Sequence, residues 1–356
     1  MSKIYKKFII LFFFFCSFLC IFYFILIYLL IYFGNANTSL VHYYKTFLLK
    51  EIDKNERIII DSGSNSHHGI FAEMLEEYFK IPSINIADVG AIPLHAKLAR
   101  LEKFVKKGDI LIMPLEYEYY STENMKNNFF LDNIFFEFSW YFDFLSYKDK
   151  IALVFNIPFS SLISYTSKIK SLIKNDLFDT NMHKNNIKFL NQFYNSKIDI
   201  NKITDSELKD AFSNFKINKF GDYTYKGEVI VSDIAKEWIN NCQKSIFKGN
   251  INKKAVKLLD NFFENMKKRG VVVILTYPVV VGDNCYNFNT KTGLNFKFFL
   301  EDLKTKFSDT IFIGNWQDSY FEKKYLLDTP YHVNQEAQII NTKRLIKLIE
   351  PYIKRK

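Results

Sequence analysis

Two short segments, residues 58–70 (IIIDSGSNSHHGI) and 326–338 (LLDTPYHVNQEAQ), carry side chains that could perform chemistry together. The first presents Ser64 directly after a glycine, and the second holds Asp328 and His332 close together. A serine hydroxyl is a weak nucleophile until a base takes its proton, and an imidazole base needs a carboxylate to fix its tautomer. These residue types are the ones that nucleophilic catalysis uses, with Ser64 as a candidate nucleophile, His332 as a candidate base and Asp328 as a candidate acid behind it.

Each segment alone also has a purely structural interpretation. A turn rich in serine and glycine before a helix is common, and Ser62 or Asn65 could simply cap that helix. Ser62 and Ser66 also compete for the role of nucleophile. In the second segment, the imidazole could belong to a surface histidine, and Asp328 or Asn334 could be a turn or cap residue.

Three other histidines come near these segments or between them. His67 and His68 follow the candidate nucleophile so closely that they are expected to line the mouth of a pocket rather than act on the hydroxyl. His95 falls on a predicted helix and is expected to be structural. A metal site built from these three would lack the carboxylate or cysteine pattern that favours one.

Short apolar runs alternate with amphipathic segments through most of the chain after the first 55 residues. Continuous apolar runs predict strands in ERIIIDSG, SINIADVG, DILIMPLEY, VVVILTYPVVV and DTIFIGN. Apolar residues at helical spacing predict helices in HGIFAEMLEEYFK, PLHAKLARLEKFVKKG, AVKLLDNFFENMKKRG and EAQIINTKRLIKLIEPYI, with stops at Gly108 and Gly270. Such alternation predicts an α/β domain with a parallel sheet, whose ligand site lies beyond the carboxyl ends of the strands.

Residues 117–241 follow a different pattern. This stretch is rich in aromatic residues, Asn and Lys, contains FFEFSWYFDF and SLISYTSKIKSLIK, and shows no strand alternation. We expect a mostly helical insertion into the α/β domain.

The N-terminus carries an uncharged apolar run over residues 8–33. At about 1.5 Å rise per residue, the run is longer than the roughly 30 Å hydrocarbon core of a bilayer requires. Lys3, Lys6 and Lys7 precede it, and no cation follows before Lys45, so residues 1–7 are expected in the cytoplasm and the body outside. We interpret residues 8–33 as a transmembrane signal anchor and 34–55 as a linker. A cleaved signal peptide ending at Ala36 and a buried core helix are the alternatives.

Composition excludes an intrinsically disordered chain, since hydrophobic residues make up 48% of the 356 residues and charged residues 24%. The formal net charge of +10 comes from scattered lysines without interleaved aromatics. This pattern favours a basic surface near anionic lipid headgroups over a nucleic-acid site.

The four cysteines show no metal-ligand spacing, and neither a metal nor another cofactor is expected. Cys16 and Cys20 fall within the apolar run. Cys242 and Cys285 could form a disulfide in an oxidising compartment or remain as two buried thiols.

The order of three motifs resembles that of the SGNH (GDSL-like) hydrolases: a Gly-Ser turn after the first strand, Gly90 after the second, and an Asp/His pair before the last helix. The resemblance implies a flavodoxin-like three-layer fold with a parallel sheet over residues 56–350. It also implies that Ser64 is the nucleophile, that the backbone N–H groups of Ser64 and Gly90 form an oxyanion hole, and that Asp328 and His332 complete a triad.

Three positions depart from the family pattern. The first block reads Ser-Gly-Ser instead of Gly-Asp-Ser, which is similar to membrane-anchored members that serve acylation of envelope polymers. Glu116 and Tyr117 stand where the family has an oxyanion-donating Asn, so that they, with Asn65 and His67, are expected in the substrate pocket. Three residues instead of two separate the acid from the base, and Pro330 could absorb the extra one in a turn.

The apolar run and its charge bias predict a single-pass membrane protein whose body faces the periplasm or cell surface. There the resemblance implies a serine esterase or O-acyltransferase that acts on acyl groups of an envelope glycan. Its expected partners are the bilayer, that glycan or another acyl-carrying substrate, and an integral membrane acyl-transfer protein, but no nucleic acid. The alternative is a non-catalytic assembly or binding protein with the same fold. A nucleic-acid-binding membrane protein is a third possibility, which would show affinity that falls steeply with salt.

Overall fold

The computed structural model describes residues 3–33, 37–52, 56–121, 128–135, 137–174, 217–224, 237, 247–282 and 287–353. The chain forms two compact units. The first comprises Met1–Leu40 and Asn127–Lys188, and the second comprises Val41–Lys126 and Phe189–Lys356.

Helices and strands alternate through the described part of the second unit. The described strands are β1 (Ile58–Ile60), β2 (Ser83–Asn85), β3 (Ile110–Met113), β4 (Val272–Thr276), β5 (Val280–Val281), β6 (Ile311–Ile313) and β7 (Tyr320–Phe321). The described α-helices of the whole chain are α1 (Lys3–Phe33), α2 (Asn37–Glu51), α3 (Ser64–His67), α4 (Ala72–Phe79), α5 (Leu94–Phe104), α6 (Glu118–Ser121), α7 (Asn128–Asn133), α8 (Tyr147–Phe155), α9 (Phe159–Lys174), α10 (Lys253–Lys268), α11 (Lys291–Lys306) and α12 (Gln335–Ile349). Short 3₁₀ helices occupy Ser139–Phe144, Trp316–Ser319, Lys323–Tyr325 and Glu350–Tyr352.

Five strands form a parallel sheet in the order β2-β1-β3-β4-β6, which confirms the predicted α/β class with a parallel sheet. In the register of the sheet, Ile59 pairs with Ile84 on one side and Leu111 on the other. β1 and β3 are buried along their whole length, as their unbroken apolar sequences indicate. A second, two-stranded parallel sheet pairs β5 with β7.

One face of the sheet packs against α4 and α12. The core cluster there contains, among others, Ile58, Ile60, Leu75, Phe79, Ile112, Ile274, Leu345, Ile346 and Ile349. Helix α4 is shorter than its sequence pattern predicts. It starts at Ala72 because residues 64–67 form a separate helical turn, and it ends at Lys80, whose φ of 59° is left-handed.

The segment 34–55 is more than the linker that the sequence suggested, because it contains α2. Tyr44, Lys45, Leu48 and Leu49 on this helix are fully buried. Two polar residues, His42 and Lys45, face inward with the apolar ones, so the apolar periodicity that normally reveals an amphipathic helix is broken.

In the first unit, α1 contains a 25-residue stretch, Ile4–Tyr28, that is long and apolar enough to cross a membrane by length and composition. Its side chains are largely exposed up to Ile25, as expected of a helix that would face lipid. The described elements of residues 117–241 are α6 to α9, the 3₁₀ helix Ser139–Phe144 and an antiparallel bridge between Ile217 and Tyr223. The other residues of the expected insertion lie outside the described ranges.

Arg57 joins the end of α2 to the sheet. Its guanidinium makes two hydrogen bonds to the carboxylate of Asp109, at 2.9 and 2.6 Å, and both side chains are fully buried. It also donates to the carbonyl oxygens of Leu49 (2.6 Å), at the end of α2, and Phe104 (3.0 Å), at the end of α5. One side chain thus satisfies the carbonyl groups left open where two helices end.

We expect Arg57→Met to lower the free energy of unfolding by about 3–5 kcal/mol, because Asp109 would remain buried without its counter-charge. Urea unfolding of the full chain in detergent, followed by far-UV circular dichroism, measures the change. The double variant Arg57→Met/Asp109→Leu leaves no buried charge at these two positions and should recover most of the loss. A double variant as unstable as the single one would contradict this explanation.

Candidate functional site

The loop after β1 is tied to the loop after β3 by buried hydrogen bonds. Ser62 Oγ donates to the carbonyl oxygen of Pro114 (2.6 Å), and Asn65 Nδ2 donates to the same oxygen (2.8 Å). Ser62 and Ser66 are buried, whereas Ser64 is partly exposed at the start of α3. Of the three serines in this turn, Ser64 is therefore the one whose hydroxyl can meet a substrate. Asn65, expected in a pocket, serves to fix the turn.

Glu116 lies against this turn. Its Oε1 accepts hydrogen bonds from the backbone N–H of Asn65 (3.0 Å) and from Ser64 Oγ (3.3 Å). A Cβ atom added to either Gly63 or Gly90 would overlap the Glu116 carboxylate. The two glycines thus leave the space that the carboxylate fills, between the turn after β1 and the turn after β2.

This space adjoins Gly90 and the N-terminus of the Ser64 helix, the groups from which the family resemblance would build an oxyanion hole. Glu116 follows β3, at the position where the family resemblance calls for a donor. Burial raises the pKa of Glu116, against the opposing effects of the Asn65 N–H, His332, Lys97 and Ser64. The neutral acid is therefore favoured more than in water, and an acid carries one proton to donate.

Asp328 and His332 form a hydrogen-bonded pair. Asp328 Oδ1 lies 2.5 Å from His332 Nδ1. The His332 N–H donates to the carbonyl oxygen of Thr329 (3.0 Å), which closes a four-residue turn with Pro330 at its second position. The turn absorbs the extra residue between acid and base, as the sequence predicted for Pro330. Although partial burial acts to raise the pKa of Asp328, the hydrogen bond and charge of His332 lower it below its usual value.

His332 lies close to the serine turn. Its ring packs against His68, four residues after Ser64, with 4.3 Å between ring centroids, and His68 in turn packs against Tyr223 at 4.5 Å. The Nδ1 atom of His68 is buried without a hydrogen-bond partner among the described residues. In the structure Ser64 bonds to Glu116 and makes no hydrogen bond to His332.

His67, expected at the mouth of a pocket, is a buried residue. It is 6% exposed, and its Nδ1 accepts a hydrogen bond from Lys45 Nζ (2.8 Å). Lys45 also donates to the carbonyl oxygen of Ala87. Burial lowers the pKa of Lys45 to about 7, against the attraction of Asp88. Lys45 thus connects α2 to the helical turn that begins at Ser64 and to the loop after β2.

A buried ionic network continues below the turn. Arg100 binds Asp61 (3.1 Å) and Asp88 (2.9 Å), and Lys97 binds Asp88 and the carbonyl oxygen of Ser62 (2.8 Å). Burial alone would raise the pKa of Asp88, but the Arg100 and Lys97 charges hold it well below its usual range. His42 of α2 completes the network at 3.0 Å from Asp88.

Three further residues singled out in the sequence lie on or near the elements around the serine turn. Tyr117, expected in the substrate pocket, is buried, and its ring packs against Phe296 and Phe299, at 5.2 and 5.6 Å. The carbonyl oxygen of Gly90 accepts a hydrogen bond from Tyr119 OH (3.0 Å), which helps to place the glycine. His95 lies on α5, partly buried.

Cys242 and Cys285 lie outside the described residues. Within the described ranges, no group of three His, Cys, Asp or Glu side chains is placed to hold a metal ion.

Comparisons with protein-family models and with curated proteins find no match to this chain.

The raised pKa of Glu116 predicts a pH-dependent stability difference from the variant Glu116→Gln. In the wild type, the stability that comes from tighter proton binding is fully present below the ordinary pKa near 4.5 and is lost as pH rises through the folded pKa. Glutamine does not titrate, so the variant should gain stability relative to wild type as pH rises from acid to neutral. Urea unfolding of both proteins across this range measures it, and a constant difference would contradict the assignment.

Proposed function

We propose that this protein is a membrane-anchored serine esterase or O-acyltransferase that acts on acyl groups of a cell-envelope glycan through an acyl-enzyme on Ser64. The strand order β2-β1-β3-β4-β6 supports a flavodoxin-like sheet of the SGNH type, since the order of the five strands along the chain becomes 2-1-3-4-5. In such sheets the ligand crevice lies at the carboxyl ends of the strands, where Ser64 is found.

The observation that carries the proposal is the Asp328–His332 hydrogen bond beside the serine turn. Asp328 fixes His332 through Nδ1 and leaves Nε2 to serve as the base. Ser64 Oγ attacks the ester carbonyl carbon while His332 takes its proton, and His332 then returns the proton to the leaving alcohol. Water or a sugar hydroxyl next attacks the acyl-enzyme, which gives hydrolysis or transfer respectively.

For catalysis the Ser64 hydroxyl has to turn from Glu116 toward His332 when an ester binds. Catalytic hydrogen bonds are often long or misaligned without substrate, so the present geometry is compatible with the step. As a neutral acid, Glu116 would supply the oxyanion with the hydrogen bond that an Asn would otherwise donate. As a carboxylate it would repel the oxyanion. The protonation state of Glu116 thus becomes a condition for activity.

The second candidate is a non-catalytic assembly or binding protein of the same fold. Two observations support this candidate. The Glu116 side chain fills the space between Gly63 and Gly90, and Ser64 bonds to Glu116 rather than to His332. A protein that no longer performs acyl transfer would tolerate such an arrangement.

We place the N-terminus in the cytoplasm and the body outside, because cations precede the apolar run and are absent just after it. An outward-facing esterase tethered to the membrane meets envelope glycans directly. If the reaction is transfer, an integral membrane protein that exports the acyl group is the natural donor. No part of this proposal requires a cofactor.

The nucleophile is tested by labelling the detergent-solubilised full chain with a fluorophosphonate and by hydrolysis of p-nitrophenyl acetate. We expect Ser64→Ala to abolish both, because the attacking oxygen is lost. The matched control is Ser66→Ala in the same helical turn, whose hydroxyl lies 3.5 Å from its nearest partner, Asn65 Oδ1, and which should keep both. Labelling of Ser64→Ala at the wild-type level would show that another residue is the nucleophile, and an inert wild type would favour the binding protein.

The role of Glu116 is tested by the pH dependence of kcat/KM. As pH rises, wild-type Glu116 ionises and turns from donor to repelling charge, whereas the amide of Glu116→Gln keeps two donors. The ratio of variant to wild-type kcat/KM should therefore increase with pH and reach about tenfold or more, since one oxyanion donor is worth about 10²–10³ in rate. A variant less active than wild type at every pH would instead assign Glu116 the role of a base.

A further inference from the structure

Helix α8 (Tyr147–Phe155) exposes its apolar side chains. Tyr147, Ile151 and Phe155 are spaced by four residues, so they share one face of the helix, and they are 85%, 58% and 70% exposed. No side chain of α8 is buried by the described part of the chain. A surface helix of a soluble domain normally buries one apolar stripe, and α8 presents its stripe outward instead.

Helix α8 contacts α1, the helix long enough to span a membrane, in the same compact unit. Tyr23 OH of α1 donates a hydrogen bond to the carbonyl oxygen of Val154, near the end of α8 (3.0 Å). Tyr23 comes 16 residues after Lys7, the last cation before the apolar run. Counted from Lys7 at about 1.5 Å per residue, a hydrocarbon core of roughly 30 Å ends about 20 residues on, so the contact lies roughly 6 Å inside the outer edge of that core.

The charge pattern agrees with this depth. Residues 151–167 (IALVFNIPFSSLISYTS), from α8 into α9, contain no charged side chain. Lys148 and Lys150 precede the segment with Asp149 between them, and Lys170 follows it, whereas Lys168 donates to the carbonyl oxygen of Asp132 and to Asn133 Oδ1. Lysines next to an apolar face can reach anionic headgroups while the face itself contacts acyl chains.

We propose that α8 is an interfacial helix that inserts Tyr147, Ile151 and Phe155 into the outer boundary of the bilayer that α1 crosses. The chain then contacts the membrane at two places, by a spanning helix and by a helix lying in the interface. A bilayer is the occupant that fits, because α8 contacts α1, whose apolar side chains are largely exposed up to Ile25, and because residues 151–167 carry no charge. The proposal does not depend on the chemistry at Ser64.

The test uses the full chain reconstituted into vesicles of phosphatidylcholine and phosphatidylglycerol. Phe155→Trp places a fluorophore on the proposed face. The emission of the three native tryptophans is measured with wild-type protein and subtracted. Ile151→Trp is a second probe of the same face. The control is Phe298→Trp on α11, in the other compact unit, whose side chain is 55% exposed. Lipids brominated on the acyl chains quench from the membrane, and iodide quenches from water.

We expect brominated lipid to quench the emission of the tryptophan introduced by Phe155→Trp or by Ile151→Trp at least about twofold more than that of the control. Iodide should quench both probes correspondingly less. Strong iodide quenching without quenching by brominated lipid would place α8 in water and overturn the proposal. Protection from both quenchers would mean that protein, such as a second copy of the chain, covers the face, which also overturns it.

Discussion

A single buried carboxylate sets the constraints on the candidate site. Glu116 lies in a space that exists because residues 63 and 90 have no side chain, and its hydrogen bonds hold the start of α3 in place. Any larger residue at either glycine would displace it, and any change in its proton would alter what the site can bind. The turns after β1, β2 and β3 meet at this one group, so their conformations are mutually dependent.

Beneath that carboxylate, the site rests on charges that water does not reach. Asp61 and Asp88 would each be costly to bury alone, and Arg100 and Lys97 offset that cost through direct ion pairs. Lys45 joins them from α2 and holds His67. Such a network favours one arrangement of the loops, since each member loses its partners when another moves. The buried ionic network therefore holds the loops around Ser64 in place without contacting Ser64 itself.

Features of the site that depend on neighbouring residues could be predicted from the sequence, whereas contacts between residues far apart along the chain could not. The five strands of the main sheet follow from local apolar runs, and Ser64 and His332 stand out by residue type and by the turns that carry them. Glu116 is visible after β3, but its position between two glycines depends on the register of β1 against β3, which no local pattern encodes. No sequence pattern indicates that the Lys45 side chain faces the interior, because a lysine on a helix normally marks the solvent-facing side.

The participation of α2 in the candidate site changes where the folded body that carries this site begins. His42 and Lys45 reach the ionic network from α2, and Arg57 binds its last turn. Proteolytic release between α1 and α2 would free a fragment that keeps these contacts. A cut after α2 would remove them while sparing every strand and the residues 64, 328 and 332. A cut before α2 would thus keep the support of the site and a cut after α2 would remove it, although only the 15 residues of one helix separate the two.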